Sequence, residues 1–151
     1  VDESPYAERI VAHLAETLGP LPEVKVTLFN VMPPKPPAYW DDGHILEKHE
    51  RTERQQIIKQ WQWHYEEIMG SVFAKARGVL TKAGVAEEHI TTKMQPRLSG
   101  IAQDILAEMS RGGYNILALG KRGSDMSQFD LGSHASRVLR SVRDCTLLLV
   151  S

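Results

Sequence analysis

Two short clusters near the C-terminal end have the residue types and spacing to do chemistry. Leu119-Gly120-Lys121-Arg122-Gly123 comes first, and after eight further residues comes Gly132-Ser133-His134-Ala135. Glycines let main-chain N–H groups approach an anion with no Cβ in the way. A helix beginning near Ser133 adds unpaired amides and a positive dipole end, both of which favour phosphate. The Ser133 hydroxyl is a further donor, and Lys121 and Arg122 carry charge suited to a di- or triphosphate. The same glycines also serve as ordinary turn residues, and Ser133 as a plain N-cap. The loop alone leaves both readings open.

Other reactive residue types form no constellation. The sequence has no Gly-x-Ser-x-Gly elbow, no Walker A loop and no zinc-protease His-Glu pair. Ser127 and Asp130 flank the glycine loop without a positioned base, so the chain reads as no dedicated enzyme and at most a slow ATPase. His44 and His49 share a stretch with Asp41 and Asp42, but a spacing of five is poor for one helix face. No Cys or His pair has a zinc spacing, and no metal site is expected. Cys145 precedes an apolar run and reads as a small, inert core or edge residue.

The elements that must position the loop follow from periodicity. Ala7, Ile10, Val11, Leu14, Ala15 and Leu18 fall on one face of a helix, capped by Ser4, opened by Pro5 and stopped by Gly19-Pro20. Residues 24–31 read as a strand, and the prolines of residues 32–37 as a loop. A long helical stripe runs from Ile57 through Trp61, Tyr65, Met69, Phe73, Ala76 and Leu80 to Ala83, with Gly84 as its stop. Residues 43–54 are dense in charge and are expected to break away, bend or protrude, because one helix from Gly43 would be roughly 60 Å long. Within it and just beyond, mixed charges from Glu47 to Lys59 read as a solvated face. Trp40 and Trp63 lie off the stripe and are expected to hold this insertion against the body.

The last third alternates strand and helix: a strand at 90–94, a helix through Ile101–Met109, a strand at 116–120, a helix through Ala135–Val142 and a strand at 146–150. Solid apolar strands between helices imply a parallel sheet covered on both faces. The expected fold class is α/β, an open, doubly wound parallel sheet. In such sheets ligands sit beyond the carboxyl ends of strands, which is where the glycine loop falls.

The 151 residues suit one domain spanning 1–151. A formal net charge of −1 leaves no electrostatic footprint for nucleic acid. The longest apolar runs, Ile116–Leu119 and Leu147–Val150, are far too short for a bilayer span. No basic-then-apolar stretch opens the sequence, and a single cysteine cannot form an internal disulfide, so a cytoplasmic setting is expected.

Together these pieces resemble the universal stress protein family. The Gly-x2-Gly…Gly-Ser loop between a strand and a helix resembles its ATP-binding signature. Asp2-x-Ser4 is similar to the acidic turn after the family's first strand, and Leu28-Phe29-Asn30-Val31 to the end of its second. GYNILALGKRG, LGSHASRVLRSV and TLLLVS follow in the order of its closing stretch. The resemblance implies an adenine nucleotide alpha hydrolase-like fold, a parallel five-stranded sheet with helices on both faces and its first strand incomplete in this sequence, with ATP as ligand, with or without Mg2+. By position, Asp2 would contact the nucleoside and the main chain at Val31 the adenine edge. Gly120, Arg122, Gly123, Gly132, Ser133, His134 and Ala135 would wrap the phosphates and ribose. It also implies a homodimer paired through residues 146–150.

Two departures stand out. Eight residues separate Gly123 from Gly132 where the family's ATP-binding pattern has nine, a difference that can shift an amide by up to about 3.5 Å. The chain also begins at Val1-Asp2, where the family has a central strand, so upstream residues are expected. Three functions therefore compete. One is a stress-response or regulatory module that binds ATP or a related adenine nucleotide. A second is a family member without nucleotide, acting through dimers and partner docking. A third is an adenylate-handling enzyme on a related fold, for which neither a His-x-Gly-His nor a Ser-Gly-Gly signature is present.

Overall fold

A computed structural model describes residues 1–35, 48–121 and 131–151. The first helix, α1 (Pro5–Leu18), begins as its sequence dictates: Ser4 Oγ accepts the Ala7 amide at 3.4 Å and Pro5 occupies the first turn. It ends at Gly19, whose amide bonds Ala15 O at 3.1 Å. A Cβ placed on Gly19 would lie 2.8 Å from the Cβ of Ala83. Glycine there is what lets the end of α1 pass against the end of the long helix α2 (Lys48–Lys82).

That helix is an unbroken run of 35 residues, about 52 Å at 1.5 Å per residue. The described part of the charged stretch, residues 48–54, runs without a break into α2 as its first turns, and 43–47 lie outside the described residues. High charge density does not interrupt a helix whose backbone bonds are all internal. Between His49 and Ile68 no residue is buried, and Met69 is the first that is, so the early turns of α2 project past the core. Ile57 and Val79, assigned to the apolar stripe by spacing, are 42% and 41% exposed. Trp63 is exposed and Trp40 lies outside the described residues.

The strands are all parallel. β1 (Val26–Met32) pairs with β2 (Ile90–Pro96) in register from Val26↔Ile90 to Met32↔Pro96. After α3 (Ile101–Gly112), β3 (Ile116–Gly120) pairs with β4 (Thr146–Val150), from Ile116↔Thr146 to Gly120↔Val150, with α4 (Ser133–Ser141) between them in the chain. Each crossover carries a helix, as parallel pairing requires. The expected five-stranded sheet is corrected: the described residues form two separate two-stranded sheets, β1–β2 and β3–β4. The physical reason is that the free edges of β1 and β3 are not bridged by a strand. Of the residues ahead of α1, Val1 alone bonds along β1, its nitrogen donating to Phe29 O at 2.6 Å.

The core follows from the helix faces. Val11 and Ala15 of α1, Ala76 and Leu80 of α2, and Leu28, Val85 and Ile90 form one buried cluster. α1 packs on α2 and α3 on α4, while α1 also reaches β3 and β4 and α3 touches β1. Among the described residues no helix is long and apolar enough to cross a membrane.

Candidate functional site

A cleft of about 1780 Å3 lies along β1 and β3, and it runs the length of both strands to their carboxyl ends. Small-molecule sites usually occupy some 300–1,000 Å3. The cleft therefore exceeds what one nucleotide fills, and the chemistry must be sought at one end of it. The polar and glycine-bearing end is where β1 and β3 finish and α1 and α4 begin.

There the two ends of the glycine loop meet. Lys121 leaves β3 with its amide on Val150 O at 2.7 Å, and its own carbonyl accepts the Gly132 amide at 2.9 Å. The chain thus returns to its point of departure before α4 starts. Gly132 is the N-cap of α4, and its carbonyl takes the Ser136 amide at 2.8 Å as the first helical bond. Ser133 is accordingly the first helical residue rather than the cap, and its hydroxyl is not consumed by capping. The amides of Ser133, His134 and Ala135 belong to the first helical turn, which has no intrahelical acceptors for them.

Across the cleft, Asp2 is exposed and its Oδ1 accepts both the amide and the hydroxyl of Ser4, which in turn caps α1. One carboxylate oxygen so ties Asp2 to the start of α1. Val31 is half-buried near the end of β1, opposite Gln95 of β2. Asp2, Val31, Gly120, Gly132, Ser133, His134 and Ala135 all line the one cleft. Ser133 and His134 are exposed, whereas Ala135 is buried with Val138 and offers only its main chain. Arg122 and Gly123 lie outside the described residues, as do Ser127 and Asp130.

Sequence reasoning missed Asn30 and took Tyr65 only for packing. Asn30 is buried in β1, its Nδ2 donating to Val1 O at 2.9 Å and its Oδ1 accepting from the Tyr65 hydroxyl at 3.2 Å. Burial pushes the Tyr65 hydroxyl above the usual phenol range, although the bond to Asn30 pulls the other way. Tyr65 therefore remains a donor at neutral pH. The signal was present: Leu28, Asn30 and Met32 share one strand face, and a polar residue on a buried face must find a partner.

Two further carboxylates near the cleft are already committed. Asp104 is buried, which by itself would raise its pKa, but the amides of Ser99 and Leu98, each at 3.0 Å, together with Gly100 and Arg97, hold it below the usual carboxylate range. Glu108 is also buried, and there too burial is outweighed. Lys93 at 2.5 Å, the Tyr114 hydroxyl at 2.9 Å and Arg111 at 3.3 Å keep it ionised. Neither is free to act as an acid or base. No cluster of three metal-ligating side chains occurs among the described residues. The arrangement sets the first-turn amides of α4 at the rim of a cleft that Asp2 and Val31 also line.

Compared with known proteins, residues 1–151, the whole chain, match the family model described as Universal stress protein family. A search of curated proteins finds no match.

Proposed function

The chain belongs to the universal stress protein family, and from that premise we propose that it binds ATP or a related adenine nucleotide and works as a cytoplasmic regulatory module in stress response. The observation that carries the reading is the hydrogen bond between Lys121 O and Gly132 N. It draws the glycine of the strand end and the first amides of α4 together at the rim of a cleft that also holds Asp2 and Val31.

In this reading the triphosphate rests on the amides of Ser133, His134 and Ala135 and on the main chain at Gly120 and Gly123, while Gly132, its own amide held by Lys121 O, admits the phosphates without a Cβ in the way. The Ser133 hydroxyl and the Arg122 guanidinium add donors and charge. Any Mg2+ would arrive with the phosphates. Asp2 takes the nucleoside and the Val31 main chain the base edge. The same reading includes a homodimer through β4, for which the support is that β4 pairs with β3 on one side and its Leu149 is 39% exposed. A second copy would cover an apolar strand edge.

Calorimetric titration with ATP and with AMP tests the nucleotide reading, on the wild type and on Gly123→Val combined with Ser133→Ala. Saturable binding in the wild type, lost in the double variant, is the expected result. No heat from a wild type that still sediments as a dimer would favour a family member acting through dimers and partner docking on residues 43–54. Turnover above background would favour an adenylate-handling enzyme. Leu149→Lys is expected to yield monomers in sedimentation, and an unchanged dimer would reject the β4 interface.

A further inference from the structure

Three polar groups from three separate parts of the chain meet behind the nucleoside wall of the cleft. The Tyr65 hydroxyl of α2 donates to Asn30 Oδ1, and Asn30 Nδ2 donates to the Val1 carbonyl. Asn30 is 3% exposed, so its amide has little water to fall back on. Val1 is followed directly by Asp2, and Asn30 by Val31. One side-chain amide thus adjoins both stretches of main chain assigned to the nucleoside. Val1 is also bonded to Phe29 O, and Asp2 is fixed on its other side by Ser4. The position of Asp2 is therefore set from two directions, and Asn30 is one of the holds.

We propose that Tyr65 is a positioning residue for the base end of the nucleotide site, acting through Asn30 on the main chain at Asp2 and Val31. The proposal rests on the nucleotide reading above. The hydroxyl gives the Asn30 carbonyl oxygen a donor, which leaves the amide nitrogen directed at Val1 and favours one of the side chain's two orientations. Without that hydroxyl, a buried acceptor loses its partner, and Asn30 must turn or draw water into the wall. Either movement loosens the base end and leaves the phosphate end, on α4, untouched. Tyr65 also stacks on Trp61 one helical turn away, with ring centroids 6.1 Å apart and an angle of 23°. Occupancy of the base end is thereby coupled to an indole on α2.

The experiment compares wild type and Tyr65→Phe in titrations with ATP, GTP and inorganic tripolyphosphate, the last reading the phosphate end alone. Tyr65→Phe is expected to weaken ATP about five- to tenfold, the worth of one hydrogen bond. Preference for ATP over GTP should shrink, tripolyphosphate binding should hold within about twofold, and thermal unfolding should confirm that the variant folds. Equal losses for ATP and tripolyphosphate would mark a merely structural residue and overturn the proposal. So would unchanged ATP affinity. A wild type that binds no ATP removes the nucleotide reading and this one with it, whereas ATP binding indifferent to Tyr65→Phe removes this one alone. Tryptophan emission supplies a measurement independent of the variant. ATP should change it and tripolyphosphate should not, with the change absent in Trp61→Phe; an ATP response that survives Trp61→Phe, or no response, counts against the coupling.

Discussion

The two strand pairs of this molecule are alike in being parallel and unlike in cover: the pair with more polar residues is the better buried. β1–β2 places Leu28, Asn30, Met32 and Ile90 below a tenth exposed, under α1 and the second half of α2. β3–β4 is an almost uninterrupted run of Ile, Leu, Ala and Val, yet none of its residues is buried. Ile116 remains 40% exposed. Apolar composition states how much cover a strand demands, while its neighbours decide whether the demand is met. The free edge of β3 borders the cleft, and among the described residues β4 pairs with β3 alone. The helices differ in another way. α1 buries Ala7, Val11 and Ala15, whereas two of the three buried residues of α3 are the carboxylates Asp104 and Glu108. α1 is held by methyl groups and α3 in good part by charge, with Glu108 bonded to Lys93 of β2.

The largest expected effect tests the packed region. Leu80→Ala, at a side chain 1% exposed, should lower unfolding free energy by about 2–5 kcal/mol in urea titrations. Leu148→Ala in β4, half-buried, should cost no more than about 1 kcal/mol at concentrations where the chain is monomeric. Equal costs would erase the contrast.

Next comes the charged anchor. Asp104→Asn should cost about 1.5–3 kcal/mol near neutral pH, the worth of hydrogen bonds to a charged group. The sign follows from the depressed pKa values of Asp104 and Glu108. Their stabilisation is complete above the unfolded-state values, near 4, and is lost as pH falls through the lower folded-state ones. The gap between wild type and Asp104→Asn should therefore close on acidification below pH 4; a gap constant with pH would deny the carboxylate its role.

Gly19→Ala should cost about 1–3 kcal/mol by thermal unfolding, since its Cβ would press on Ala83 at the junction of α1 and α2. The smallest effect runs the other way. A Cβ on Gly78 meets nothing within 4 Å on the exposed side of α2, so Gly78→Ala should stabilise by about 0.5–1 kcal/mol. Loss of stability there would mean that α2 makes contacts at Gly78 that the described structure does not have.

Local rules carried far. Ser4, Pro5 and Gly19 bounded α1 to the residue, and the solid apolar runs at 116–120 and 146–150 became parallel strands at those bounds. The glycine loop was legible as a strand end and a helix start, because both signals are short-range. What escaped depends on distance along the chain. The Tyr65–Asn30 bond joins residues 35 apart, and periodicity had already given Tyr65 a sufficient role in packing. The four strands read from the sequence formed, but as two pairs, because strand patterning does not say whose edge meets whose; the fifth strand of the expected sheet rested on the family resemblance alone. For the charged turns of α2, charge density left a break, a bend and a projection all open, since a helix satisfies its own backbone wherever it projects.

The bond from Lys121 O to Gly132 N clasps residues 122–131 into a ring sewn shut at its base. Growth or trimming inside such a ring need not disturb the strand below or the helix above. Closing one residue more costs only about 0.1 kcal/mol of chain entropy at this size. The spacing between its glycines is consequently a setting the fold leaves nearly free, and lengthening it by one is a change this scaffold can absorb without repacking.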